Sequence, residues 1–148
     1  MADMGKRTLE IWLTCVGLAF ATFGLLMAFG NETDLFRNTF DPLIERAFWI
    51  EEVPVEAREF RSWVYGAWGG TVAGFGLLLA HVARQSIAME NSRMRWGALA
   101  ALTLWFVIDT TVSVIHGVWG NVFAINVPAY LALALPLFLA GKMPAVRT

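Results

Sequence analysis

Charge is scarce in this sequence: 16% of its 148 residues are charged, and 11 basic against 12 acidic side chains leave a formal net charge of −1. Without a basic excess there is no field to draw in nucleic acid or an acidic lipid surface, so neither is expected as a partner on electrostatic grounds. Cysteine is nearly absent too. The single Cys15 excludes an internal disulfide framework and leaves the redox compartment open. It lies in an apolar run and is expected as a small buried hydrophobe, and Trp12, Leu13 and Thr14 before it do not form the Leu-small-small-Cys box of a lipoprotein. There is no internal repeat and no low-complexity run, and the length suits a single domain over residues 1–148.

What the sequence has in abundance is apolar surface. Hydrophobic residues make up 57% of it and the mean hydropathy is +0.58, whereas a soluble domain holds about 45 to 50% apolar residues. Four apolar segments, at 11–30, 62–83, 96–116 and 122–141, each approach the roughly 20 residues a helix needs to cross a bilayer core. Backbone in hydrocarbon must satisfy its own hydrogen bonds, so spans of this length are expected to be helical. The expected fold is therefore all-α, a polytopic four-transmembrane-helix bundle. The first segment is longer than a secretory signal core, and Gly17, Ala21, Gly24 and Ala28 share one of its faces, as a packing seam does.

Orientation follows from the basic residues at the span ends. Lys6, Arg7, Arg84, Arg93, Arg95, Lys142 and Arg147 all share one side if both termini are cytoplasmic. The segment 31–61 then faces outward, with four arginines against eight acids. Within it, Phe36, Phe40, Leu43, Ile44, Ala47 and Phe48 recur at helical spacing, which predicts an amphipathic helix in the membrane interface, either a lid on the bundle or a gate over a cavity. Asp41 before Pro42 reads as an N-cap, and Pro54 as the start of the second span's helix. Asn31-Glu32-Thr33 matches a glycosylation sequon, a pattern short enough to arise by chance.

In the second span, Gly66, Gly70 and Gly74 repeat every four residues and are expected to form the face against which a neighbouring helix packs. Trp12, Trp49, Trp63, Trp96 and Trp119 fall near span ends or in the interface segment, as an aromatic belt. Trp68 and Trp105 lie deeper and are candidates to line a pocket.

The third span carries an acid. At 100° per residue, Trp105, Asp109, Ser113, His116 and Gly120 lie within about 40° of a common line. Asp109 sits about 20 Å along the helix from Trp96 and about 10 Å from His116. A buried aspartate costs about 2.5 to 3.5 kcal/mol on insertion scales, so it must find partners or stay protonated. Counting back through the hairpin after the third span brings residues 126–129 level with it, and Asn126 is the expected partner. Ser113 and a water are able to bridge to His116. Arg61 could snorkel to the same level, and Tyr65 and Thr71 are further candidates on the second span; His81 belongs near the opposite surface. One Asp and one His, seven residues apart with no third ligand, make no metal site, and the Asp109, Ser113 and His116 set on one helix cannot form a triad.

The run Trp-Phe-Val-Ile-Asp-Thr at 105–110, with Ser113, His116-Gly117, Asn121 and the Tyr65-Gly66 and Gly69-Gly70 pairs, resembles small bacterial four-helix membrane proteins, similar in layout to the DoxX-like group. That resemblance covers about residues 61–137 and implies a bacterial cytoplasmic membrane and no settled activity. The leading expectation is an integral membrane protein that binds a small apolar or lipid-like ligand in a cavity near Asp109, lined by His116, Asn126, Ser113, Trp105, Tyr65 and Trp68, with no cofactor. Its rivals are an accessory subunit or self-associating chain in a larger membrane complex, and an isomerase-type enzyme using Asp109 for proton transfer.

Overall fold

The structure is a computed structural model that describes residues 2–50 and 52–142, apart from the side chains of Ala2 and Asp3; Arg147 of the expected basic set lies outside them. Its elements in order are α1 (Ala2–Gly30), α2 (Asp34–Thr39), α3 (Asp41–Glu45), α4 (Val55–Ala88), α5 (Ser92–Ile115), a π-helical stretch (Asn121–Asn126) and α6 (Val127–Ala140). Among the described residues there is no strand. Four helices, Met4–Gly30, Val55–Ala88, Ser92–Ile115 and Asn121–Ala140, are long and apolar enough to cross a membrane.

Each expected apolar segment is helical, and the first two helices are longer than their apolar cores. Hydropathy marks only the apolar part, whereas α4 starts directly after Pro54 and runs through Glu56, Arg58 and Glu59, all able to sit in a helix. The segment between the first two spans is therefore shorter than 31–61, since α4 takes its last seven residues. Two turns reverse the chain by the same device. At the end of α4, Asn91 N–H donates to Ser86 O at 2.9 Å and Glu90 N–H to Ile87 O at 3.1 Å, with Glu90 at φ +50°. At the end of α5, Val118 N–H donates to Ser113 O at 2.8 Å and Gly117 N–H to Val114 O at 3.1 Å. Gly117 sits at φ +72°, where glycine alone carries no Cβ penalty. Asn91 then caps α5, its side chain accepting from Met94 N–H at 3.1 Å.

α1 and α4 pack backbone to backbone. The expected α1 face is used, because a Cβ on Gly24 would collide with the Ala73 and Gly69 backbone. The α4 face is not the expected one. A Cβ on Gly70 or Gly74 would meet nothing within 4 Å, whereas one on Gly76 would lie 2.7 Å from the Ala21 nitrogen. The seam on α4 runs through Gly69, Ala73, Gly76 and Ala80, spaced 4-3-4 like Gly17, Ala21, Gly24 and Ala28. Steps of four alone drift about 40° per step around the helix, while alternating fours and threes stay on one face.

Leu13, Leu79, Ala83, Leu102, Leu133 and Leu137 centre the core at the end that holds the α4–α5 turn. At that same end Lys6 pairs with Glu90, and Lys6, Arg95 and Gly141 border one recess. α6 contains Pro136, which has no N–H for the carbonyl of Ala132 one turn back. Trp12 of α1, expected in an aromatic belt, donates its indole N–H to that carbonyl at 2.8 Å. Cys15 is exposed on the outer side of α1, not buried as its apolar setting suggested, because α4 packs on the Gly17 face instead.

At the other end, the expected single amphipathic helix is two short ones. Pro42 cannot give an N–H to Asn38, and α2 stops at Thr39 before α3 begins. The pair folds over the bundle as a strap. Phe36 is 2% exposed and packs on Phe23, Phe40 and Tyr65. Asp41 does not cap α3: Phe40 holds that position, and the Asp41 carboxylate instead accepts from Arg61 Nη1 at 2.9 Å. Arg61 also pairs with Glu45, so it points at the strap and away from Asp109. The Asn31 amide of the sequon is 4% exposed and donates to Met27 O at 2.8 Å.

Candidate functional site

The turn at Gly117 returns the chain alongside the C-terminal half of α5, and the π-helical stretch then passes Asp109. Three donors converge on one carboxylate oxygen. Asp109 Oδ1 accepts from Asn121 Nδ2 at 2.6 Å, from Asn126 Nδ2 at 2.8 Å and from Ser113 Oγ at 3.3 Å. Asn121 also donates to Ser113 Oγ at 2.8 Å, and Asn126 to Thr110 Oγ1 at 3.2 Å. Asn126 is thus the partner the hairpin count anticipated. Asn121 is the one that count missed.

The π-helix explains how both asparagines reach one atom. In an α-helix, residues five apart point about 140° away from each other. In a π-helix they are hydrogen-bonded neighbours, as the Val127 N–H to Val122 O bond shows here. The return to α-helical register falls at Pro128, which has no N–H to place. Two amides five residues apart in an otherwise apolar span, followed by a proline, were the available signal in the sequence.

Asp109 Oδ2 accepts no hydrogen bond from any described residue, and Asp109 borders two adjoining cavities. The larger, about 590 Å³, lies open between α4, α5 and the strap, with Phe48, Trp68, Trp105, Ser113, His116 and Asn121 on its wall. The smaller, about 80 Å³, reaches inward to Tyr65, Ile125 and Asn126 under Phe23 and Phe36. Trp68, Trp105, Ile44, Asp109 and Asn121 belong to both walls. α4 and α5 meet in the core at their turn-proximal ends, and the larger cavity is the gap that opens where they part.

All seven residues singled out in the sequence therefore line one cavity or the other, though not with equal closeness to the acid. His116 is exposed, takes no part in the hydrogen bonds around Asp109, and stands with its ring 6.0 Å from that of Phe48. Thr71 bonds only within its own helix, to Ala67 O at 3.4 Å. Ile44 and Phe48, read from the sequence as the apolar face of a surface helix, are cavity wall. Two buried polar atoms on the inner wall lack a hydrogen-bond partner among the described residues: Tyr65 OH, in a residue 5% exposed, and Asn126 Oδ1, in a residue 0% exposed. No lysine or arginine lines either cavity.

Chemically, a carboxyl with one oxygen saturated and the other free can accept a hydrogen bond through Oδ2 as a carboxylate or donate one from it as an acid. Ser113 Oγ donates straight to the carboxylate and His116 stands apart, so no acid–histidine–serine relay is assembled. Among the described residues no three His, Cys, Asp or Glu side chains come together as a metal site. Compared with known family profiles, curated proteins and solved structures, the chain matches none.

Proposed function

We propose that this is an integral membrane protein that binds a small apolar or lipid-like ligand in the cavity beside Asp109. The observation that carries the reading is the pairing of a 590 Å³ apolar cleft with a single carboxyl oxygen left without a partner. A volume of about 300 to 1,000 Å³ with few polar groups in an apolar wall is what small-ligand sites use. Residence in a bilayer is supported by the exposed faces of the long helices, where Leu78, Leu104 and Ile115 stand more than 60% exposed; a surface of that kind aggregates in water. Both termini are assigned to the cytoplasm, since Lys6, Arg95 and Gly141 gather at one end. The loose resemblance in layout to DoxX-like proteins, read from the sequence, is what suggests a bacterial cytoplasmic membrane.

One observation favours a second reading, an accessory subunit or self-associating chain. Gly70 and Gly74 face outward with nothing within 4 Å, a bare surface that another helix could approach. Proton transfer by Asp109 Oδ2 in an isomerase-type reaction is the third. Purification in gentle detergent followed by native mass spectrometry separates them. A monomer or dimer carrying extractable lipid, lost when Ile108→Trp obstructs the cleft, is the expected result. A stoichiometric larger partner, with no lipid retained, replaces the first reading by the second, and chemical turnover of the retained lipid moves it to the third.

A further inference from the structure

Resting on that cavity reading, we infer that the polar end of the ligand is a protonated amine. The site has an excess of acceptors. Asp109 Oδ2 and Asn121 Oδ1 accept nothing from any described residue, and Asn126 Oδ1 is wholly buried with no partner. Both amides are anchored through their nitrogens on Asp109 Oδ1, at 2.6 and 2.8 Å, which leaves Oδ2 of the same carboxyl free. A buried acceptor without a donor is costly, and native interiors rarely keep one. A hydroxyl brings one hydrogen to such a site; a primary ammonium brings three.

Charge points the same way. The other titratable groups on the two walls are Tyr65 and His116; with no lysine or arginine there, Asp109 has neutral donors and no counter-charge. An unpaired carboxylate in apolar surroundings is what a ligand cation relieves. The rings of Trp68 and Trp105 border both cavities beside it, and an ammonium is attracted to an aromatic face. The inner cavity of about 80 Å³, bordered by Asp109 and Asn121, admits a head group of that size, leaving the larger cleft for the apolar body.

The test uses two probes of one skeleton, 1-aminoadamantane and 1-hydroxyadamantane, titrated by calorimetry into the full chain in detergent at pH 7. Each titration is repeated with Asp109→Asn and with Ile108→Trp. The amine is expected to bind wild type about tenfold or more tightly than the alcohol, Asp109→Asn to bind the two alike, and Ile108→Trp to bind neither. Equal affinity of wild type for both probes, or an amine preference that survives in Asp109→Asn, overturns the ammonium inference while leaving the cavity reading standing. Binding of neither probe overturns both. Should Asp109→Asn fail to fold, the wild-type comparison decides alone.

Discussion

Asp109 is held by one oxygen and offered by the other, and the two oxygens have separable consequences. Replacing the side chain with leucine removes the acceptor of three donors at once. The loss is softened because Asn121 keeps Ser113 Oγ at 2.8 Å and Asn126 keeps Thr110 Oγ1 at 3.2 Å as second acceptors. An unsatisfied buried donor costs about 1 to 3 kcal/mol; with these fallbacks, Asp109→Leu should destabilise by about 1 kcal/mol, the lower end of that range. Asp109→Asn retains a carbonyl oxygen for the three donors and turns its new N–H groups toward the cavity, so its stability should stay near wild type. Thermal unfolding of the three proteins in one detergent checks this. A leucine variant as stable as wild type would show that the amide cluster serves the cavity and not the fold.

Between elements, the bond from Trp12 to the carbonyl of Ala132 replaces one that Pro136 cannot make. If these helices cross a membrane as proposed, no water is at hand for that carbonyl, and Trp12→Phe should cost about 1 to 3 kcal/mol. Pro136→Ala restores a helical N–H to Ala132, and in that background Trp12→Phe should cost little. A double-mutant cycle reads the coupling, and additive effects would mean the indole contributes by packing alone. This link was not legible in the sequence, because nothing in a 3.6-residue pattern ties a tryptophan in one span to a proline in another. The four long helices, the α1 face and the Asp109–Asn126 pair were legible, since each follows from apolar length, small-residue spacing or a count through a turn. The α4 seam was legible only to its 4-3-4 match with α1, which the more conspicuous Gly66, Gly70, Gly74 repeat concealed. Asn121 escaped because α-helical angles place it away from Asn126. Asp41 escaped because a local cap and a distant arginine compete for the same carboxylate, and sequence order shows only the first.

Across the whole molecule, the strap is both a wall of the cavity, through Ile44 and Phe48, and the carrier of the most buried acid among the described residues. Asp41 is 2% exposed, and its Oδ1 lacks a partner among the described residues, as does Arg61 Nε. Burial pushes the Asp41 carboxyl above its usual value, and Arg61, shared with Glu45, pulls it down by less than burial raises it; Glu45 adds to the rise and Arg37 opposes it. The sign follows from linkage. A carboxyl whose folded pKa exceeds its unfolded one contributes its full stability below the unfolded value, near 3.8, and loses that contribution as pH rises through the folded value. Asp41→Asn, neutral and nearly the same shape, should match wild type at pH 4 and become the more stable of the two as pH rises to 8. Unfolding midpoints of both proteins across that range isolate Asp41 from every other titrating group. A variant that instead falls behind wild type at pH 8 would mean the Arg61 pair outweighs burial. If the gap opens as expected, the Asp41 contribution to holding the strap is smallest at high pH, and because Ile44 and Phe48 ride on it, a ligand bound as proposed should exchange faster there in wild type than in Asp41→Asn.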